Sequence, residues 1–402
     1  MKQLISAMAL GLLSAAGMAA DFGLDESCNF NGTAVNTAYH WNGGDYVYCQ
    51  LPSSIVVNDT IELDTDNAAD QSILWVINGV VTVGNGQVAG ATPATVAQTV
   101  LKMASGAQMA AATQSSALVI TRGASIDANG RSSKPIVFSS LDDGFDGRGE
   151  WAGVLLAGFG ESNACVSDDS NCELTSLGLS GYHYAGGADT LLSSGRMNYV
   201  VIAEAGSFAH HGLIQQNGLT LLGVNSSTTL TNIHVQGTKG DGIELRGGDT
   251  KLGKVWASCN RDDAISWKEG YQGEIQNLNI VQSGPAGNAL DMASNFWNAS
   301  ALPVSHGVID AASITKVGGF TLAPLKAKQG TEASFTDLVI SGYGDMVCNS
   351  PFGQHAVTTA DFNQVNYDCD NVTGLLPAAD ASTTGYDVVS FWTEEQGNPG
   401  CF

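Results

Sequence analysis

The chain is poor in positive charge and in proline. Lys and Arg together number 16 in 402 residues, against 39 Asp and Glu, and there are nine Pro. A formal charge of −23 repels other polyanions, so nucleic acid is excluded as a partner. The apolar run from Leu4 to Leu13 is too short to span a bilayer, and no second span follows it. No Cys-x-x-Cys occurs, which argues against a zinc ribbon or a thioredoxin-type site. Also missing are a Gly-x-Ser-x-Gly elbow, a His-Glu-x-x-His helix and a phosphate loop, so three common catalytic layouts have no footing. What the chain does have is 49 Gly, which suits many tight turns between short strands.

The first twenty residues read as an export signal. Lys2 supplies the positive start, Leu4 to Leu13 the apolar core, and Gly17 to Ala20 the small-residue end before Asp21. No Cys stands at the cleavage point, so a lipid anchor is not expected. Eight cysteines in an exported chain predict disulfides. Local pairing would join Cys28 to Cys49, Cys165 to Cys172 and Cys348 to Cys369, leaving Cys259 and Cys401 to pair or stay free.

The stretch from Thr229 to Met292 repeats itself. Val235-Gln-Gly-Thr-Lys-Gly-Asp-Gly-Ile-Glu-Leu245 aligns, 22 positions on, with Ala257-Ser-Cys-Asn-Arg-Asp-Asp-Ala-Ile-Ser-Trp267. Asp241 then matches Asp263, Ile243 matches Ile265 and Leu245 matches Trp267; a third copy ends in Asn288-Ala-Leu-Asp-Met292, 25 residues later. A tandem unit this short cannot bury its own apolar face and must stack on its neighbours. A second match, Leu101 to Met109 against Leu118 to Ile126, shows period-2 apolar positions either side of a turn Gly. That is strand–turn–strand patterning, despite a helix-like spacing of Val96, Val100 and Met103. Short strands without intervening amphipathic helices exclude a doubly wound sheet and predict an all-β, right-handed parallel β-helix.

The expected organisation is a signal peptide over 1–20, an N-terminal cap over 21–72, a parallel β-helix over 73–345 and a C-terminal cap over 346–402. Two strands are expected around a turn at Asn78-Gly79, and long excursions over about 160–195 and 293–306. The array resembles a family of exported bacterial right-handed parallel β-helix proteins of uncharacterised function. The motifs that carry the likeness are Leu118 to Gly130 with Pro135 to Ser140, Gly147 to Gly153, Asn198 to Gly206, Asn217 to Val224, Gly240 to Gly248, Asp262 to Trp267 and Gly270 to Ile275. The resemblance covers roughly 100–345. It implies fold and export and supplies no reaction.

Chemistry centres on Asp241 and Asp263, which hold equal positions in successive coils. Stacked coils lie about 4.8 Å apart, so the two carboxylates are expected to be close. Such a pair is costly unless a cation joins it, and calcium suits oxygen ligands. Arg261, Arg246 and Lys268 are near in sequence. Carboxylates, calcium and a base resemble the kit of polysaccharide lyases. Three readings stay open: turn and ladder chemistry, a structural ion, and a catalytic site built from Asp241, Asp263 and Arg261 or Lys268. Asp262-Asp263 is also similar to the paired Asp of β-helix glycosidases that hydrolyse pectin, but their Gly-His-Gly and Arg-x-Lys are missing. Asp142 and Asp146, on a compact acidic loop, form a second calcium candidate. His234, beside the core residue Ile233, is expected to face solvent, and Trp151, Tyr182, Trp256, Trp267, Tyr271 and Trp297 are candidate sugar-stacking rings.

The function this composition favours is a non-enzymatic protein of the cell envelope or extracellular space. Its partner would be a glycan, an envelope component or its own copies. The alternative is a calcium-assisted lyase acting on acidic glycans.

Overall fold

The computed structural model describes residues 38–67, 70–142, 144–165, 184–187, 191–209, 214–343 and 372–373. Among them there is no helix, and strands of successive coils pair in parallel. The chain forms a parallel β-helix. Nine strands make one sheet, and the remaining faces belong to a larger sheet that bends.

The repeat stacks in the register read from the sequence. Ile243 pairs with Ile265 and Leu245 with Trp267, and Ile265 and Trp267 pair in turn with Leu290 and Met292. The ladder runs much further than those three copies. Val81, Leu118, Val154, Leu219, Ile243, Ile265, Leu290 and Leu325 form one continuous inward row. A parallel row follows Val83, Ile120, Leu156, Leu221, Leu245, Trp267, Met292 and Ala327. Every member of both rows is buried. Apolar burial therefore acts along the whole axis, each coil shielding the next.

The bends recur at fixed places. Tyr199, Asn232, Asn277, Ala311 and Asp337 occupy one corner in five of six successive coils, and all have φ between 49° and 64°; Lys254 holds the corner in the remaining coil, between Asn232 and Asn277. A left-handed residue costs an ordinary side chain energy, and Asn and Asp tolerate it best. Asn232 and Asn198 add a side-chain hydrogen bond of 2.8 Å across two coils at that corner.

The sequence match between Leu101 and Leu118 has a different meaning from the main repeat. Leu101 pairs with Ile126 and Ile61, whereas Leu118 pairs with Val81 and Val154. The two copies are two corners of the same coil, each turned by a left-handed glycine, Gly106 and Gly123. Ile73–Ile77 and Val80–Val83 flank the expected turn at Asn78-Gly79, but they join different sheets. The stretch expected to be a separate cap already takes part in stacking. Gly44–Gln50, Ser54–Ile55 and Thr60–Leu63 pair in parallel with strands of the following coil. Only Ala38–Trp41 departs, folding back antiparallel on Gly44–Gln50. The signal peptide, and all of the C-terminal stretch except Val372–Thr373, lie outside the described residues.

Cys49, Cys165 and Cys259 are each disulfide-bonded, and no described cysteine is free. The pairings expected for Cys28, Cys172, Cys348 and Cys369 involve residues outside the described set.

Trp267 is 1% exposed and Trp297 is 85% exposed. Trp267→Ala should therefore lower stability by about 3–5 kcal/mol. Trp297→Ala should change it by less than about 0.5 kcal/mol. Urea unfolding of the two variants checks the contrast.

Candidate functional site

In four successive coils one position, just ahead of the nine-stranded sheet, ties each coil to the next through its side chain. Asn217 Oδ1 accepts the N–H of Asp241 at 3.0 Å, Asp241 Oδ1 that of Asp263 at 3.2 Å, and Asp263 Oδ1 that of Asn288 at 2.6 Å. Asn288 then donates its Nδ2 to the carbonyl of Ala323 at 2.7 Å. This is a side-chain ladder, as one reading of the sequence expected. Asparagine serves at both ends of it. The negative charges at its two middle positions are not needed for the ladder itself.

Those charges gather with a third. One carboxylate oxygen from each of Asp241, Asp262 and Asp263 lies within 4.8 Å of the others. Asp263 is buried and Asp262 exposed. Gly287 makes the approach feasible, since a Cβ there would stand 2.6 Å from Asp263 Oδ1. Burial, then the charges of Asp262 and Glu244, push the Asp241 carboxyl up to about 7. Burial, then Asp291 and Asp241, raise Asp263 well above the usual carboxylate range, and Asp262 is raised for similar reasons. Two buried oxygens close by have no donor: Asn288 Oδ1 and Asp291 Oδ1.

The outer surface of the sheet continues the site. Its outward row reads Val119, Leu155, Thr220, Glu244, Ser266, Asp291, Lys326. The first part is apolar, and Val119 and Leu155 pack with Ala185 and Leu222. The second part is charged. A neighbouring row carries Arg246, Lys268 and Lys328. Lys268 pairs with Glu244, and Arg246 with Glu269. Asp291 Oδ2 takes both Lys326, at 3.1 Å, and Lys328, at 2.6 Å. Burial opposes the ionisation of Glu244 and Asp291, but the paired cations outweigh it and hold both carboxyls below their ordinary values. Burial likewise opposes Lys268, yet Glu244 keeps its ammonium above the usual range. Lys328 goes the other way, because burial dominates there.

The candidates from the sequence thus separate. Asp241, Asp263 and Lys268 share one face, linked by Ser266, whose hydroxyl donates to Asp241 Oδ2 at 2.6 Å. Arg261 directly precedes Asp262, while the cations acting most on Asp262 are Lys326, Lys328 and Lys268. Asp142 and Asp146 are exposed and lie with Glu150, whose carboxyl is raised first by burial and then by their charges. Glu244, Asp291, Lys326 and Lys328 were missed. The signal for them was available in the alternation of Ile-Glu-Leu-Arg, Ile-Ser-Trp-Lys, Leu-Asp-Met and Leu-Lys-Ala-Lys, which stack as four rungs.

Two further expectations need correction. His234 is wholly buried rather than solvent-facing, with its ring bonded to Ser258 Oγ at 3.0 Å and 5.6 Å from the Trp256 ring. Burial pushes its pKa down to about 3, so it is neutral. Trp151, Trp267 and Tyr271 are core residues, unavailable for stacking. Trp297 with Phe296 is exposed, their rings 4.7 Å apart edge to face; Tyr182 lies outside the described residues.

A family model described as a pectate-lyase-like beta helix domain matches residues 78–399. Comparison with curated proteins and with solved structures gives no match. No helix among the described residues is long and apolar enough to cross a membrane.

Asp241 and Asp263 have carboxyl pKa values above those of an unfolded chain. The folded state then holds more protons, and stability falls as pH rises from about 4 through 7. In chelator, the melting temperature of the protein should drop between pH 5 and pH 8. Asp241→Asn keeps the ladder oxygen and should flatten that drop, and differential scanning calorimetry reads it directly.

Proposed function

The chain belongs to the pectate-lyase-like β-helix family, and from that premise we propose that it is an exported, non-enzymatic binder of acidic polysaccharide, engaged through a divalent cation. Asp241, Asp262 and Asp263 would hold the cation, and the outward row from Glu244 to Lys326 would line the glycan. The observation that carries this reading is the excess charge on the ladder. Asn217 and Asn288 do the ladder's work without a charge, so Asp241 and Asp263 supply something more.

The donor set fits such an ion. Two oxygens each about 2.4 Å from one calcium can be at most about 4.8 Å apart, and one oxygen from each of the three carboxylates lies within that distance of the others. All three have raised pKa values, so the bare cluster resists ionisation, and a cation would relieve that strain. Carboxylates outnumber cations on the face as a whole. Asp241, Glu244, Asp262, Asp263, Glu269 and Asp291 stand against Arg246, Lys268, Lys326 and Lys328, and one divalent ion would cancel the difference. Neutralised in this way, the face would accept a carboxylate-bearing sugar that the chain's net charge would otherwise repel.

Binding is favoured over catalysis by the state of the lysines. Lys268 and Lys326 are paired to carboxylates that keep them protonated, which suits holding an anion more than removing a proton. The alternative lyase reading, which the sequence places on Arg261 or Lys268, would be better served by Lys328, which burial lowers although it too pairs with Asp291.

Polygalacturonate retention in calcium, in chelator and in the Asp263→Asn variant tests the proposal. The protein should bind in calcium and lose binding under both other conditions. Saturating calcium, at about a hundred times Kd, should stabilise the fold by about 2.7 kcal/mol, and Asp263→Asn should remove that gain. A melting curve insensitive to calcium would sink the cation site. Growing ultraviolet absorbance from an unsaturated uronate, abolished in Lys328→Met, would replace binding with lyase chemistry.

A further inference from the structure

A second charged locus lies on the turn before this face, outside the carboxylate cluster. Arg148 has two buried N–H positions, Nε and Nη2, with no acceptor. Arg122 shows how this fold normally treats a buried arginine. Its Nε, Nη1 and Nη2 donate to the carbonyls of Gly86, Gly186 and Val88, and its guanidinium lies 5.1 Å from the centre of the Phe159 ring. Arg148 has no such carbonyl cage. Burial and then the positive charge of Arg261 both act to lower its ionisation.

The backbone explains how residues so far apart in sequence meet. The N–H groups of Gly149 and Lys239 both donate to the carbonyl of Ala205, at 3.1 and 2.9 Å, and Arg261 N donates to Thr238 O at 2.8 Å. The turn carrying Arg148 also lies over the next coils, with Gly147 O 3.3 Å from where a Cβ of Gly237 would stand. Beside Gly237, Gln236 is 1% exposed, and neither its Nε2 nor its Oε1 has a partner. The Glu150 carboxylate lies against Gly147, but its Oε2 has no hydrogen-bond partner and so does not satisfy Arg148. Glu204 is occupied by Ser139, Ser140 and the N–H of Gly147.

Water could satisfy an amide or a lone N–H, but it leaves the positive charge of Arg261 acting on Arg148 without compensation. An anion does both. Planar guanidinium groups match planar oxyanions with paired hydrogen bonds. We infer that Arg148 and Arg261 form an oxyanion-binding site for the acidic group of a sugar, next to the carboxylate cluster but built from different side chains. The inference rests on the carbohydrate reading for the identity of its ligand, and on the arginine pair for the site. A site on the turn and a cation on the adjacent sheet edge would grip an acidic glycan at two places.

The test keeps the two sites apart by working in chelator at fixed ionic strength. Calorimetric titrations use a galacturonate trimer, a sulfated galactose trimer, a neutral galactose trimer and inorganic sulfate. At least one acidic trimer should bind ten times more tightly than the neutral one, and the better of the two identifies the group as carboxylate or sulfate. Arg148→Met and the exposed-site variant Arg261→Met should each weaken that binding at least tenfold, while Lys102→Met, whose lysine pairs with Glu62, should leave it unchanged. Arg148→Met should also melt no lower than the parent in anion-poor buffer. Equal affinity for acidic and neutral trimers would overturn the site, as would binding of inorganic sulfate alone, acidic binding untouched by both arginine variants, or a large fall in the melting temperature of Arg148→Met. Loss of calcium-dependent polygalacturonate binding with this result intact would strike only the cation proposal.

Discussion

The parallel hydrogen-bond ladder between coils is the constraint from which the remaining features follow. It sets neighbouring backbones about 4.8 Å apart and forbids slippage, because a shift by one residue would turn every inward side chain outward. Val81 to Leu325 can form one aliphatic row only because eight coils keep that register. The same rule orders the outside. Whatever residue type occupies an outward position is brought next to its counterpart in the adjacent coil, attractive or not.

That imposed proximity is what makes the charged end of the nine-stranded sheet unusual. Like charges on flexible surface loops can move apart. Asp241 and Asp263 cannot, since each also holds the backbone of the next coil. Burial first, and then repulsion from neighbouring carboxylates, are therefore expressed as raised pKa values instead of as displacement. A few ångströms along the same sheet, Glu244 and Asp291 are equally buried but face lysines, and their carboxyls are held low. Neighbouring carboxylates with opposite shifts mark a divided face: one part is internally neutral, and the other lacks a counter-ion.

The core was legible because its repeat is almost free of insertions between Thr229 and Met292. Ile243 over Ile265 and Leu245 over Trp267 follow directly from a 22-residue match. Legibility fails where spacing changes. From Leu290 to its partner Leu325 the step is 35 residues, because an excursion intervenes, and so Lys326 and Lys328 were not aligned with Asp291. The Leu101 and Leu118 match misleads for another reason: every corner of a coil uses similar strand–glycine–strand chemistry, so similarity can relate corners as well as coils. His234 was misjudged because alternation gives the direction of a side chain, not what covers it.

The ladder also explains why the bland and the functional readings of Asp263 need not compete. Its Oδ1 is committed to Asn288 N, which is a structural task that an asparagine performs equally well at Asn217. A carboxylate has a second oxygen and a charge, and neither is used by that bond. Placing an acid where an amide suffices costs stability at neutral pH, as its raised pKa records. A stabilising role alone would favour Asn in the middle of the ladder as at its ends. The acid is understandable if the folded chain works with a cation present, when the same charge changes from a liability to a ligand. On that argument the scaffold supplies fixed spacing, and the choice between Asn and Asp at one recurring position decides which coils bind.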